Sequence, residues 1–88
     1  MVGERIQGQG KEPKYPKDAQ KAHVEGTVIL KVFISESGDV ESLCVIQGPA
    51  MLQQAAVDAV KTWKYKPFLL NGEPVEVMTQ VNVIFTLR

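Results

Sequence analysis

"EGTVILKVFISESGDV", Glu25 to Val40, decides the fold of this chain of 88 residues. Thr27 to Ser35 reads as one strand. Val28, Leu30, Val32 and Ile34 share one face, while Ile29 and Phe33 share the other with Lys31. Apolar residues on both faces are the pattern of a central strand. "ESGDV", Glu36 to Val40, is a hairpin signal in which Gly38 is free to take a positive φ. Val40 to Gln47 then returns as a second strand. Leu43, Val45 and Ile46 do not all alternate, which implies a bulge.

Upstream, Met1 to Lys14 reads as a tail. Gly3, Gly8, Gly10 and Pro13 stand there among charges and glutamines, with little that could pack. Pro16 opens a short helix, where its missing N–H costs nothing. Asp18 falls near the positive end of the helix dipole and Lys21 near the other. Ala19, Ala22 and Val24 face a core, His23 closes the helix, and Gly26 makes the turn into the strand.

Downstream, Gly48-Pro49 ends the second strand and begins a helix. Leu52, Ala56, Ala59 and Trp63 recur at i, i+4, i+7 and i+11, an apolar stripe on a helix of roughly three to four turns. Small alanines let it lie close to a sheet. Trp63 and Tyr65 are read as core anchors over that sheet. Pro67 forbids further helix, and "NGEP", Asn71 to Pro74, is a turn. Val75 to Leu87 closes the chain as a long strand. Its odd-numbered positions are mostly apolar and its even-numbered positions mixed, as in a sheet covered on one side.

The order is therefore α-β-β-α-β. It specifies an α+β domain with an antiparallel three-stranded sheet and two helices packed on one face. The expected organisation is a tail over residues 1–14 and a domain over 15–88. Three strands leave two edges with unpaired N–H and C=O groups, which proteins usually blunt with lysine or proline. Between Val75 and Leu87 there is neither.

Ten basic residues balance ten acidic ones, so no global field draws the chain to nucleic acid or an anionic membrane. The basic run Lys11, Lys14, Lys17 and Lys21 is diluted by Glu12 and Asp18 and reads as a solvated face. The apolar runs are short, so no transmembrane helix or signal peptide is read here. A cytosolic protein and a fragment that has lost its targeting segment both remain open. Cys44 is the single cysteine and His23 the single histidine. A packed thiol and a surface imidazole are the expectation, not a catalytic pair. One Cys and one His do not make a zinc site. Gly8 to Gly10 lacks the strand and the following lysine of a phosphate loop. No catalytic, cofactor or metal residue is assigned, no cofactor is expected, and the chain is read as no enzyme.

Several pieces, in order and at fitting spacing, carry a resemblance over about Pro13 to Leu87. They are "YP" with Ala19 three residues on, Glu25-Gly26, Gly38 and Val40, "LQQAAVDAV" (Leu52 to Val60), "WKYKP" (Trp63 to Pro67), "NGEPV" (Asn71 to Val75) and "VNVIFTL" (Val81 to Leu87). The chain resembles the C-terminal domain of the TonB family of energy-transducing proteins. That resemblance implies a periplasmic domain in a Gram-negative bacterium, joined by a long linker to an inner-membrane helix and a proton-driven motor complex. It implies capture of a short peptide, the TonB box, from outer-membrane transporters of siderophores, cobalamin or similar ligands.

By position, the strand-pairing segment is Gln80, Val81, Asn82, Val83, Ile84, Phe85 and Thr86. Glu12, Lys14, Tyr15 and Pro16 fall where family members contact the transporter. Glu12 departs from the pattern, because some members carry glutamine there. A carboxylate removes the amide donor and adds charge. A homodimer through the open edge is a further expectation. The competing reading is a TonB-like assembly module of another envelope or signalling protein, without a transport role.

Overall fold

Alternation of side chains along one strand builds this core. In the computed structural model, which describes residues 12–87, the chain order is α1 (Lys17–Lys21), β1 (Gly26–Ile34), β2 (Val40–Gln47), α2 (Ala50–Val60), β3 (Phe68–Leu70), β4 (Glu73–Val75) and β5 (Val77–Phe85). Val28, Leu30, Val32 and Ile34 of β1 all point the same way and are at most 2% exposed. Each contributes about 1.5–3 kcal/mol by leaving water. β1 lies at the centre of an antiparallel sheet of order β2-β1-β5. Leu52, Ala56 and Val60 of α2 and Ala19 of α1 join the same buried cluster. Both helices therefore cover one face, as the apolar periodicities require. The tail expected over residues 1–14 lies almost wholly outside the described residues.

The irregular pattern of β2 resolves into two bulges. Ile29 and Leu30 face Gln47 and Val45, which leaves Ile46 over. Phe33 and Ile34 face Ser42 and Val40, which leaves Glu41 over. Each extra residue resets the alternation. Val40, Leu43 and Val45 can then all pack on the core. Cys44 consequently points to the uncovered face and is exposed, opposite Lys31, so the expected packed thiol is not found.

Three boundaries differ from the sequence reading. α1 ends before Gly26, which is instead the first residue of β1. The His23 N–H donates to the Gln20 carbonyl and the Val24 N–H to the Ala19 carbonyl, with His23 at φ 54°. This is a Schellman closure in which histidine takes the left-handed position that glycine usually holds. Trp63 lies just beyond α2, after a tight turn, yet it and Tyr65 are buried as anchors. The closing strand is also split. Asn71 and Gly72 both have positive φ, as a type I′ turn demands, and fold Phe68–Leu70 against Glu73–Val75. β5 begins only after Glu76.

Gly38 fixes the β1–β2 hairpin to the segment beyond α2. It adopts φ 91°, and a Cβ there would lie 2.0 Å from the Tyr65 carbonyl oxygen. Its own carbonyl accepts the Tyr65 N–H at 2.8 Å. Gly38→Ala is expected to cost about 2 kcal/mol or more, from combined backbone strain and overlap. The urea midpoint of the purified variant checks this; a midpoint unchanged from the parent would contradict the tight fit.

Candidate functional site

The sheet has two edges, and they are not equivalent. β2 is interrupted by both bulges and carries the charge of Glu41 at one of them. β5 pairs with β1 without a register shift, from Gly26 opposite Phe85 to Ile34 opposite Val77. Bulges turn an edge away from further pairing, whereas a straight edge remains a template. Among the described residues no strand lies on the outer side of β5. In an antiparallel pair alternate residues give their N–H and C=O to the partner, so the intervening residues of β5 present theirs outward.

The seven residues assigned to pairing by position sort by face. Val83 and Phe85 are buried toward the helices and Val81 is half-buried. Gln80, Asn82, Ile84 and Thr86 are exposed. Buried side chains hold this strand in place, and only its backbone and the exposed set can meet a partner. On the uncovered face Ile84 is 70% exposed, and Phe33 and Met78 stand opposite each other at 40% and 51%. This apolar surface was visible in the sequence only as Ile29 and Phe33 on the second face of the central strand.

The upstream residues divide into two sets. Tyr15 is half-buried at the end of β5. Its ring meets Phe85 edge-on at 5.4 Å and 87°, and its hydroxyl donates to the Val24 carbonyl. Partial burial raises the phenol pKa above its ordinary value, and the Glu25 carboxylate adds to the effect. Glu12 and Lys14 are exposed. With Pro16 they border an open groove along α2, floored by Met51, Ala55 and Ala59. The structure thus brings Tyr15 to β5 and sets Glu12, Lys14 and Pro16 along the helix. Among the described residues no three His, Cys, Asp or Glu side chains gather as metal ligands. Among the described residues no helix is long and apolar enough to cross a membrane.

The sheet is thus backed by helices on one face and ends in an edge strand without register shifts, β5, that no other described strand covers. The chain belongs to the family of Gram-negative bacterial TonB protein C-terminal domains, whose model matches residues 11–87. The family is one of non-enzymatic proteins. TonB of Vibrio cholerae is 33% identical over 79 residues, covering 88% of this chain and 32% of that protein. The tonB2 protein of Pseudomonas aeruginosa is 42% identical over 78 residues, covering 86% of this chain and 29% of that protein. The chain thus spans about a third of the length of the curated relatives it matches. The solution structure of the Pseudomonas aeruginosa TonB C-terminal domain has the same fold, with a TM-score of 0.75 at 21% identity, covering 96% of this chain and 85% of that one.

One ion pair steadies the end of the sheet opposite Tyr15. Lys64 pairs with Asp39, which also bridges to it through the backbone. The hydrogen bond from Lys64, then that from Ser37, hold the Asp39 carboxyl below its ordinary pKa. A carboxylate whose pKa is lower folded than unfolded stabilises above the unfolded value, and that contribution is lost as pH falls through the folded value. Stability should therefore decline below about pH 4. Asp39→Asn should flatten the decline, measured by thermal melts from pH 2 to 6. An unchanged slope would remove Asp39 from the acid response.

Proposed function

We propose that β5 captures a short extended peptide as an added strand, and that the peptide belongs to an outer-membrane transporter. The observation that carries this reading is the unequal pair of edges, with β2 bulged and β5 straight. Main-chain pairing supplies contact without demanding one sequence, so one domain can serve several transporters. Each hydrogen bond adds a net of about 0.5–1.5 kcal/mol, so a handful gives a reversible complex. Bonds along a strand pulled lengthwise load together, which lets a weak complex carry force.

The membership of the TonB family supports the remaining parts of the proposal. The domain acts in the periplasm as the distal part of a longer protein anchored in the inner membrane. A proton-driven motor complex supplies the force, and the cargo is a siderophore, cobalamin or similar nutrient. Gln80 to Thr86 form the pairing segment, with Glu12, Lys14, Tyr15 and Pro16 on the flank that approaches the transporter. Residues 15–88 act as the folded unit and 1–14 as its lead-in. A homodimer through β5 would compete with peptide for the same edge.

Titrating TonB-box-like peptides into the labelled domain should give saturable amide shifts centred on Gln80 to Thr86, with a scrambled peptide binding more weakly at the same segment. Silence at millimolar peptide, in a domain shown to be monomeric by light scattering, would favour the assembly-module reading. Main-chain capture makes a second expectation. Peptides N-methylated at alternate residues should lose about tenfold or more in affinity for one alternate set and little for the other. Equal loss in both sets would mean side chains dominate recognition.

A further inference from the structure

The contacts of Tyr15 tie together parts of the chain that tension would otherwise separate. Tyr15 stands just before α1, and its hydroxyl reaches the Val24 carbonyl beyond it. The intervening segment is thereby closed into a loop by one side chain. Within that loop α1 has only five residues. A helix so short has no stability of its own, and a pull on its first residue would unwind it.

The same ring rests on Phe85, and Phe85 is paired with Gly26, the first residue of β1. β1 and β5 are antiparallel, so the chain entering β1 and the chain leaving β5 lie at one end of their ladder. Tension on the entering chain opens that ladder one pair at a time, beginning at Gly26 and Phe85. A second tie sits at this end, where the Leu87 N–H donates to the Glu25 carboxylate at 2.5 Å.

We propose that Tyr15 is the point where tension on the preceding chain enters the fold, passing it to the joined ends of β1 and β5 and sparing α1. Tyr15 is then a positioning residue for force transfer rather than a contact for the peptide. The proposal deepens the strand-capture reading and rests on it for its purpose, but its test needs no peptide. A phenol is protonated throughout the neutral range at its ordinary pKa of about 10, so the hydroxyl is a donor there.

The test is single-molecule pulling of the 88-residue chain in two geometries that share one anchor. The anchor is Cys44, the single and exposed cysteine. The second handle is a tag at the N-terminus or one inserted in the Asn71-Gly72 turn, where a Cβ on Gly72 would meet nothing within 4 Å. Pulled from the N-terminus, Tyr15→Phe should unfold about fivefold faster at equal force, the effect of one hydrogen bond. Tyr15→Ala should add an early extension of up to about 30 Å as the loop opens. Pulled from the turn, Tyr15→Phe should unfold at the parent rate within about twofold.

Equal acceleration in both geometries would make Tyr15 an ordinary packing residue and overturn the proposal. No acceleration in either would place the entry of tension elsewhere. Should Tyr15→Phe not fold, Glu25→Ala, which removes the acceptor of the Leu87 N–H, probes the second tie in the same geometries, with acceleration expected only from the N-terminus. Failure of the peptide titration, with these pulling results intact, would overturn strand capture alone.

Discussion

Everything in this fold hangs from β1, the strand with a neighbour on each side. Its inward residues fill the core. Its partners are placed by hydrogen bonding to it, and both helices pack over what it buries. Because one strand supplies both registers, its two sides can be treated differently. Toward β2 the register slips twice, and toward β5 it does not slip at all. The asymmetry of the sheet is therefore set at the centre and displayed at the margins.

The second constraint is the closure of the hairpin end by Gly38 and Tyr65. A glycine with positive φ, a backbone hydrogen bond and the Asp39–Lys64 ion pair join the β1–β2 turn to the segment after α2. Trp63 and Tyr65 are buried as part of the same connection. At the opposite end Tyr15 performs the matching task with Phe85 and Val24. The sheet is thus held at both ends by aromatic residues that lie outside its strands.

Much of this could be read from residue order, because the decisive signals were local. The alternation in Thr27–Ile34, the alanine stripe of α2 and the turn glycines each state their own conformation. The central place of β1, the uncovered face and an edge without lysine or proline followed from them. What escaped depended on contacts between distant segments or on unusual residue choices. His23 closes α1 in a conformation where glycine is the common signal, so Gly26 took the credit. The break at Glu76 was hidden because apolar alternation continues across it. The exposure of Cys44 depended on which β2 residues bulge, and that is fixed only by pairing with β1. The aromatic contact of Tyr15 with Phe85 joins residues at opposite ends of the domain, beyond any local pattern.

The bulges of β2 also bear on how far a sheet like this can grow. Suppose two copies meet through β5. Their strands merge into one continuous sheet whose outer margins are both β2. Each margin carries the leftover residues Glu41 and Ile46, which spoil the regular ladder a third copy would need. Such an assembly is capped on both flanks as soon as it forms. In such a pair both β5 margins are used and both remaining margins are irregular, so the series ends at two.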